Sequence, residues 1–272
     1  MNLSKHVLIT GTTSGLGRGL LEYYAGAGIQ VTAVNRRKCD ELEAHFPRVS
    51  FRLADVRQQE KIRDLIVHLA ESGDLPDLFI LNAGINRVDN DSFFDVGIFN
   101  EVMETNLLGV MNFVAPITQL EKLSKKVSVV AISSMGSGLP NPYCLSYHVS
   151  KRALTASFDV LSEMYAGTPL CFKQVVLGPV PTAIHDTSHK FPKIMSEIKK
   201  IFSVSLPEAV QSIVKFSETD QKTLILPWPA YFLFRAVRMA QTAIPGFYRG
   251  RKTMDGRKRE PKERREETVK HA

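Results

Sequence analysis

The stretch that most constrains the fold is a glycine-rich turn between an apolar run and an amphipathic helix. Val7-Leu8-Ile9-Thr10 leads into Gly11-Thr12-Thr13-Ser14-Gly15-Leu16-Gly17, and a helical pattern and a second apolar run, Ile29 to Val34, follow. In such a strand-turn-helix-strand unit, glycines let the backbone approach a pyrophosphate at the helix N-terminus. Glycines that start a helix also serve in ordinary turns, and the spacing here is G-x-x-x-G-x-G. Because both strands and the helix flank the turn, we favour dinucleotide binding.

The alternation of apolar runs and helical patterns continues along the chain. Five more strands are predicted near residues 49–53, 78–81, 127–132, 170–177 and 223–226. Helices are predicted at about Phe99 to Leu123 and at Tyr147 to about Ala166, among others. This order predicts an α/β fold of the Rossmann type, a doubly wound parallel sheet of about seven strands with helices on both faces. Residues 1–227 are expected to form one catalytic domain.

Cysteine content and charge bear on compartment and partners. Cys39, Cys144 and Cys171 are odd in number and widely spaced, which indicates a reducing compartment and no metal site. With no apolar segment before Val7 we expect no signal peptide and a cytoplasmic protein.

Residues 245–272 carry ten Lys or Arg and five Asp or Glu, which accounts for +5 of the net charge of +7. The mixed charges and missing aromatics in residues 249–272 predict a disordered tail rather than a nucleic-acid contact.

Two apolar segments follow the sixth strand. Residues 191–202 have helical apolar spacing and lie within an insert at about 183–205, which is either a lid or substrate loop or a surface helix covering the core. Residues 228–248 form a predicted apolar and aromatic C-terminal helix interrupted by Arg235 and Arg238. We favour its packing on its own domain or on a dimer partner, and peripheral contact with an anionic membrane is the alternative.

A phenol and an ammonium are predicted to share one helix face. Tyr147 and Lys151 are four residues apart, so their side chains lie one turn from each other. An ammonium beside a phenol stabilises the phenolate and lowers its pKa, which suits proton transfer near neutral pH. The strand at 127–132 ends in Ser133-Ser134, and a hydroxyl at that edge faces the ligand crevice. Since successive strand side chains face opposite ways, one of the two serines enters the crevice.

Together these pieces resemble the short-chain dehydrogenase/reductase family over Lys5 to Leu226. The matches are its T-G-x-x-x-G-x-G loop at 10–17, its Asp-Val pair at 55–56, its N-A-G at 82–84, its helical Asn at 106, its Ser at 134, its Y-x-x-x-K at 147–151 and its glycine turn at 178–182. The chain has Leu177 where the family usually has proline before the glycine, and we expect the turn to survive. The thirteen-residue spacing to Tyr147 selects Ser134 over Ser133.

The resemblance implies roles for individual residues. Tyr147 would transfer a proton, Ser134 would donate to the substrate oxygen, Lys151 would lower the Tyr147 pKa and contact the nicotinamide ribose, and Asn106 would hold a water that links Lys151 to solvent. Residues implied at the cofactor are Gly11, Thr13, Ser14, Gly15, Leu16, Gly17, Asn35, Arg36, Arg37, Asp55, Val56, Asn82, Ala83, Gly84, Tyr147, Lys151, Gly178, Val180 and Thr182. The family is commonly dimeric or tetrameric, so a homodimer or homotetramer is expected.

The end of the second strand bears on cofactor choice. NAD enzymes tend to place a carboxylate there, whereas this chain reads Asn35-Arg36-Arg37. Two arginines can pair with a 2′-phosphate, so we predict NADP(H), mainly through Arg36, with NAD(H) as the alternative. Alternatively, Arg36 and Arg37 are simply two solvated side chains of a surface loop.

Because NADP(H) usually serves reduction in cells, we favour a carbonyl reductase. The expected substrate is a lipid-like, steroid-like or aromatic carbonyl or alcohol. The predicted pocket is largely apolar, with Met135, Leu139, Tyr143, Phe191, Ile194 and Met195. A dinucleotide-binding regulator without catalysis and a membrane-peripheral scaffold are the rival functions.

Overall fold

A seven-stranded parallel sheet forms the centre of the protein in a computed structural model, which describes residues 6–87, 94–120, 123, 125–138, 144–181, 202–229 and 232. Its strands run in the spatial order β3-β2-β1-β4-β5-β6-β7. This confirms the predicted doubly wound fold and its seven strands. The strands are β1 His6–Thr10, β2 Gln30–Asn35, β3 Ser50–Leu53, β4 Leu78–Leu81, β5 Val127–Ser134, β6 Leu170–Leu177 and β7 Thr223–Leu226.

Helices connect the strands and cover both faces of the sheet. They are α1 Gly15–Gly26, α2 Asp40–His45, α3 Gln59–Glu71, α4 Val96–Met103, α5 Gly109–Thr118, α6 Leu145–Met164 and α7 Leu206–Ser217. A π-helical turn at Glu104–Leu108 joins α4 to α5, and a 3₁₀ turn at Met135–Gly138 follows β5. The short α2 was not predicted, because its six residues bury Leu42 alone and give little periodic signal.

The helix predicted at about Phe99 to Leu123 begins earlier and ends sooner. Asp95 caps its N-terminus by accepting hydrogen bonds from the amides of Gly97 and Ile98, at 2.8 and 3.1 Å. A capping carboxylate satisfies amides that have no partner within the first turn, so the helix can begin at Val96. At the other end α5 stops at Thr118, two residues after Pro116. The predicted helix at Tyr147 likewise begins two residues earlier, at Leu145.

Each face of the sheet has its own apolar core. Val7 and Ile9 of β1 pack with α1 and α7 on one face, whereas Leu8 packs with α3, α5 and α6 on the other. Successive side chains of a strand point to opposite faces, so a strand that is covered on both sides must be apolar throughout. This explains the uninterrupted apolar runs in the sequence. Because all seven strands are parallel, their carboxyl ends lie at one edge of the sheet. The order in which the strands are added changes direction between β1 and β4, and ligands bind at such a switch point in open α/β sheets.

Candidate active site

The glycine-rich turn after β1 has a backbone that requires glycine. Gly11 has a φ of +72°, which favours a residue without a Cβ. A Cβ on Gly17 would lie 2.1 Å from the carbonyl oxygen of Gly11, so the first turn of α1 can approach the loop only with glycine there. Ser14, at the N-cap of α1, makes no capping hydrogen bond through its side chain to the residues that the structure describes. The first-turn amides of α1 thus face the crevice as an anion-binding group.

Asn82, at the end of β4, fastens this turn to the neighbouring strand. Its amide nitrogen donates to the carbonyl oxygens of Thr10 and Gly11, both at 3.1 Å. The hydroxyl of Thr10 in turn accepts from the backbone amides of Asn82 and Ala83, both at 2.9 Å. The N-A-G motif therefore holds the glycine turn in place.

The end of β2 supports the same turn from the other side. Asn35 is buried, and its side-chain oxygen accepts from the backbone amide of Thr12 at 2.8 Å. Its side-chain nitrogen donates to the Thr12 hydroxyl at 2.9 Å. The Asn35 side chain is thus already engaged with the protein, and the adjacent Arg36 and Arg37 extend into the crevice wall.

A cleft of about 360 Å³ runs along this edge of the sheet. It brings most of the predicted cofactor residues together with Ser134, Tyr147 and Lys151. Gly17 and Asn106 support it from behind and are not among the described residues that line it, and Thr182 lies outside the described residues. The lining residues that are part of the prediction are Gly11, Thr13, Ser14, Gly15, Leu16, Asn35, Arg36, Arg37, Asp55, Val56, Asn82, Ala83, Gly84, Ser134, Tyr147, Lys151, Gly178 and Val180.

Seven further lining residues were not predicted. They are Val34, Ala54, Ile85, Thr105, Ile132, Ser133 and Leu177. Most of them directly adjoin a predicted residue at the end of a strand, so strand ends would have been the signal for finding them. Thr105 instead belongs to the π-helical turn, for which the sequence carries no clear pattern.

The two serines at the end of β5 take different directions. The Ser134 hydroxyl hydrogen-bonds with Tyr147 and also accepts from the backbone amide of Gly136 at 3.1 Å. The Ser133 hydroxyl donates to the carbonyl oxygen of Lys151 at 3.1 Å and lies 2.6 Å from the Thr155 hydroxyl. Ser134 therefore faces the phenol, while Ser133 fastens α6 to the sheet.

Lys151 and Tyr147 are close neighbours in a buried setting. The Lys151 ammonium nitrogen lies 5.9 Å from the centroid of the Tyr147 ring and donates to the carbonyl oxygen of Ile132 at 2.8 Å. Burial lowers the pKa of Lys151 to about 8. Burial also raises the pKa of Tyr147, and the hydrogen bond with Ser134 opposes that change. The expected lowering of the Tyr147 pKa by Lys151 is not present here, because desolvation disfavours the charged form of both groups.

The side chain of Asn106 joins the segment after β4 to helix α6 through hydrogen bonds. Its side-chain oxygen accepts from the amide of Ile85 at 2.8 Å, and its nitrogen donates to the Ile85 carbonyl at 2.9 Å. The same nitrogen donates to the Ser150 hydroxyl at 3.0 Å, and Ser150 donates to the Tyr147 carbonyl at 2.7 Å. The side-chain amide of Asn106 is therefore engaged by protein groups. The water that the family resemblance implies at this residue stays a prediction. Ser150, which was not predicted, joins Asn106 to the first turns of α6.

At the other end of the cleft, Asp55 and Val56 follow β3. Val56 is buried against Gly109, and its carbonyl oxygen accepts from the side chain of Asn112 at 2.8 Å. The Asp55 carboxylate is held by Arg57, whose Nη2 donates to it at 2.7 Å. The hydrogen bonds from Arg57 hold the pKa of Asp55 below its usual range. Asp55 is thus an ionised acceptor at the cleft wall.

Gly178, at the turn after β6, allows close packing of the chain. Its amide donates to the carbonyl oxygen of Leu226 at 2.6 Å. A Cβ there would lie 2.6 Å from the carbonyl oxygen of Phe202 and 2.9 Å from Cδ of Pro227. The expectation that a glycine suffices for this turn despite Leu177 agrees with this packing.

The predicted substrate residues are mostly beyond what the structure describes. Leu139, Tyr143, Phe191, Ile194 and Met195 lie outside the described residues, as does most of the predicted loop at 183–205. Met135 is buried and is not among the described residues that line the cleft. Within the described ranges there is no group of three metal-binding side chains, and no helix there is long and apolar enough to cross a membrane.

The fold and the cleft are those of an α/β protein that binds a dinucleotide at the carboxyl edge of a parallel sheet. A family model for short chain dehydrogenases matches residues 5–192. The chain therefore belongs to the short-chain dehydrogenase family of NAD(P)-dependent oxidoreductases. The glycine turn, the first-turn amides of α1 and the two arginines fit a nicotinamide dinucleotide, which carries a pyrophosphate and two riboses.

The chain is also similar to individual dehydrogenases and reductases. The chain is 27% identical over 208 residues to glucose 1-dehydrogenase from Gluconobacter oxydans, covering 71% of this chain and 77% of that protein. It is 32% identical over 155 residues to the NADPH-dependent pterin aldehyde reductase of Arabidopsis thaliana, covering 53% of this chain and 63% of that protein, less than two thirds of its length. A short chain dehydrogenase from Burkholderia cenocepacia in complex with NADP has the same fold, with a TM-score of 0.73, 21% identity and coverage of 89% and 95%.

Proposed function

We propose that the protein interconverts a carbonyl and a secondary alcohol with NADP(H), and that it acts as a reductase on an apolar substrate. The observation that carries the proposal is the hydrogen-bonded pair Ser134 and Tyr147, with Lys151 beside it, in the wall of a cleft that also contains a glycine turn. A phenol that shares a hydrogen bond with a second hydroxyl can bind a carbonyl oxygen from two sides.

The catalytic step requires a proton at the substrate oxygen. The nicotinamide, when bound, supplies the hydride. Tyr147 gives its proton to the oxygen during reduction, and Ser134 donates a hydrogen bond that stabilises the charge developing there. Because burial raises the pKa of Tyr147, the phenol is protonated at neutral pH. The protonated phenol is the form that gives a proton to the substrate oxygen in reduction.

The preference for NADP(H) rests on Arg36 and Arg37. Both line the cleft just beyond β2, where an NAD enzyme would have a carboxylate. The nearby carboxylate of Asp55 is engaged by Arg57, so it adds less repulsion toward a 2′-phosphate. Replacing Arg36 with Ala should raise the Michaelis constant for NADPH and leave that for NADH unchanged. Equal Michaelis constants for NADPH in the parent and in Arg36→Ala would contradict the preference, and NAD(H) would then become the favoured cofactor.

Apolar side chains support a substrate of the lipid, steroid or aromatic class. Ile85, Leu177 and Val180 line the same cleft as Tyr147, and the predicted pocket residues add further apolar and aromatic groups. A small polar sugar would leave its hydroxyls without partners against such a wall.

The test is NADPH and NADH oxidation against a panel of apolar ketones and aldehydes, with Tyr147→Phe beside the parent. The phenylalanine keeps the ring in its buried place and removes the hydroxyl, so turnover should be lost while NADPH still binds. Tyr165→Phe, a tyrosine at the far end of α6, is the matched control and should keep full activity. Undiminished turnover in Tyr147→Phe would refute the assignment of the proton donor.

A catalytically inactive dinucleotide-binding regulator is the rival function. It would bind NADPH and turn over no carbonyl in either direction, in the parent as in Tyr147→Phe. Turnover of any carbonyl by the parent excludes it.

Peripheral contact with a membrane is supported by two exposed aromatic side chains after β7. Trp228 and Phe232 are 64% and 55% exposed, and their rings meet edge to face with centroids 4.8 Å apart. Aromatic rings and nearby arginines suit the surface of an anionic bilayer. Co-sedimentation with anionic and neutral vesicles should show binding of the parent to the anionic ones and less binding of Trp228→Ala. Equal sedimentation of both proteins would argue for packing on the protein itself.

A homodimer or homotetramer is supported by an apolar stripe on α6. Leu145, Val149, Val160 and Met164 are exposed along this helix at spacings of about one turn or its multiples. Light scattering should give a mass of two or four chains, and a monomer at micromolar concentration would refute this. A cytoplasmic location is proposed because Cys39, Cys144 and Cys171 form no disulfide with one another, which suits a reducing compartment.

A further inference from the structure

The excess positive charge of the chain is concentrated in two of its segments. Residues 182–201 have four Lys and two Asp or Glu, a net charge of +2, and residues 227–272 have twelve Lys or Arg and five Asp or Glu, a net charge of +7. The rest of the chain, with nineteen Lys or Arg and twenty-one Asp or Glu, has a net charge of −2. The positive charge therefore belongs to these two segments and not to the body that forms the sheet.

Both segments adjoin the same glycine of the cleft wall, Gly178. Residues 182–201 lie outside the described residues, and the residue that follows them is Phe202, whose carbonyl oxygen would lie 2.6 Å from a Cβ on Gly178. The backbone amide of Val204 donates to the carbonyl oxygen of Pro179 at 2.9 Å. Pro227, which opens the second segment, has its Cδ 2.9 Å from the position of the same added Cβ. The two basic segments therefore join the described chain at one place on the cleft.

This place is next to the reacting end of the cleft. Ser134, Leu177 and Leu226 are paired in register across the parallel strands β5, β6 and β7. Adjacent strands are about 4.8 Å apart, so the Cα atoms of Ser134 and Leu226 are separated by roughly 10 Å. Trp228 comes two residues after Leu226, and two residues span at most about 7 Å. The Cα atom of Trp228 therefore lies within about 17 Å of that of Ser134, the serine proposed to contact the substrate oxygen.

The beginning of the second segment has side chains that suit a lipid surface. Trp228 and Phe232 are largely exposed, and residues 228–254 contain six aromatic residues, five Lys or Arg and no Asp or Glu. Aromatic rings are favoured at a membrane–water interface, and Lys and Arg are attracted to anionic headgroups. Aliphatic residues stand between the rings in the sequence, and they would gain from burial in lipid but not from contact with the phosphates of a nucleic acid.

We propose that the edge of the sheet beside Gly178 faces an anionic lipid surface, with Trp228 inserted among the headgroups, so that the reacting end of the cleft opens toward the bilayer and takes its apolar carbonyl substrate from the lipid. This inference rests on the proposed function. It goes beyond membrane contact, because it specifies which edge of the protein faces the lipid and where the substrate comes from. An apolar carbonyl partitions into a bilayer, so a cleft that opens there meets it at a higher concentration than in water.

The fluorescence of Trp228 tests the orientation directly, because it is the only tryptophan of the chain. Vesicles of phosphatidylcholine with phosphatidylglycerol should shift its emission to shorter wavelength, and lipids brominated in their acyl chains should quench it. Vesicles of phosphatidylcholine alone should do neither. These readouts need neither a substrate nor a cofactor, so they are independent of catalysis.

The matched control moves the reporter to the opposite edge of the sheet. The double variant Trp228→Phe/Tyr23→Trp places the only tryptophan near the end of α1, which runs away from the glycine turn, at a position that is 39% exposed. The phenylalanine keeps an aromatic ring at the proposed contact, and co-sedimentation checks that the variant still binds anionic vesicles. The relocated tryptophan should then show neither the shift nor the quenching.

The source of the substrate is tested with the most apolar carbonyl that the parent reduces. Vesicles draw such a compound out of water, so an enzyme that takes it from water slows when they are added. The parent should instead turn it over faster on anionic vesicles. Trp228→Ala should bind these vesicles about tenfold more weakly, the effect of withdrawing one large apolar side chain from lipid. Its rate, relative to its own rate without vesicles, should therefore fall.

Several outcomes would overturn the orientation. An emission of Trp228 that anionic vesicles leave unchanged would show that this edge does not enter the lipid. Equal shifts of Trp228 and of the relocated tryptophan would show that the bound protein has no preferred edge. A shift that grows with protein concentration without vesicles would assign the surface to a second copy of the chain, and a shift with single-stranded DNA alone would assign it to nucleic acid.

A different outcome would overturn the source of the substrate. If anionic vesicles slow the parent as much as they slow Trp228→Ala, the substrate comes from water. Absence of NADPH binding or of any carbonyl turnover would instead refute the proposed function, while the emission of Trp228 would still decide which edge faces the lipid. The two failures are therefore distinguishable.

Discussion

Burial of Lys151 should make the stability of the protein depend on pH in a particular direction. The folded-state pKa is about 8, against an ordinary value of 10.5 in the unfolded chain. Between these values the unfolded chain binds the proton and the folded protein does not. The free energy of unfolding therefore rises with pH across this window, because protons favour the unfolded state below it. The sign is the reverse of that for a lysine stabilised by an ion pair.

The size of the effect follows from the two pKa values. A difference of one between the folded and unfolded pKa corresponds to about 1.4 kcal/mol of unfolding free energy. Most of the effect of the Lys151 pKa difference falls between pH 7 and pH 10. The contribution of Lys151 to the free energy of unfolding should therefore rise by about 2.5 kcal/mol over that range. Above pH 10 the tyrosines begin to ionise in the unfolded chain. Burial raises the pKa of Tyr147, so its contribution is lost as the pH rises further, and measurements should stop at pH 10.

The assay is urea unfolding at pH 7, 8, 9 and 10 for the parent and for Lys151→Met, whose apolar side chain is of similar length. Taking the difference between the two proteins removes the contributions of Lys173 and of other titrating groups, which both share. That difference should move by about 2.5 kcal/mol in favour of the parent from pH 7 to pH 10. Lys215→Met, at an exposed position of α7, is the control for the substitution itself. A difference between the parent and Lys151→Met that does not change with pH would refute the conclusion that burial lowers the pKa of Lys151.

Two further substitutions test the support of the cleft. Gly17→Ala places a methyl group 2.1 Å from the Gly11 carbonyl oxygen, so dinucleotide affinity should fall by more than about tenfold in a fluorescence titration. Gly26→Ala, where no described atom lies within 4 Å of the added methyl, should leave the affinity unchanged; equal losses in both would point to a general effect of alanine on α1. Ser150→Ala removes the acceptor of the buried Asn106 amide and should lower the free energy of unfolding by about 1–3 kcal/mol in urea titrations. It should also lower kcat with little change in the KM for NADPH, and a loss of stability without a change in kcat would show that the link does not position Tyr147.

The elements that could be predicted from the sequence are those whose signal is local. The strand from Val7, the glycine turn and the spacing of Tyr147 to Lys151 each depend on neighbouring residues, and the structure brings them to one edge of the sheet. The choice of Ser134 over Ser133 needed the resemblance to the family, because the strand period shows that they diverge and does not show which one faces the cleft.

Residues that act over long sequence separations could not be predicted in the same way. Asn106 contacts Ile85 and Ser150, which are 21 and 44 residues away, and no periodic pattern encodes such a contact. The π-helical turn around Asn106 is equally invisible, since one extra residue in a helix changes the apolar spacing little. Arg57 was missed for another reason, because a charge two residues from Asp55 resembles an ordinary surface pair until its partner is seen to line the cleft.

The Tyr147–Lys151 pair separates two things that a site depends on. Helical spacing determines which side chains are close together, whereas burial determines their pKa values. Four residues on a helix bring the two side chains close together, and the Lys151 ammonium lies 5.9 Å from the centroid of the Tyr147 ring. The charge state depends on solvent, and α6 packs both groups against β5 with less than a tenth of each exposed. Desolvation then moves the pKa of Tyr147 up and that of Lys151 down, so the neutral phenol is the form present at pH 7. A neutral phenol can donate a proton and cannot accept one at its oxygen as a strong base. The helical spacing therefore predicts that the two groups are neighbours, whereas the burial that shifts their pKa values depends on how α6 packs against β5 and is not encoded in that spacing.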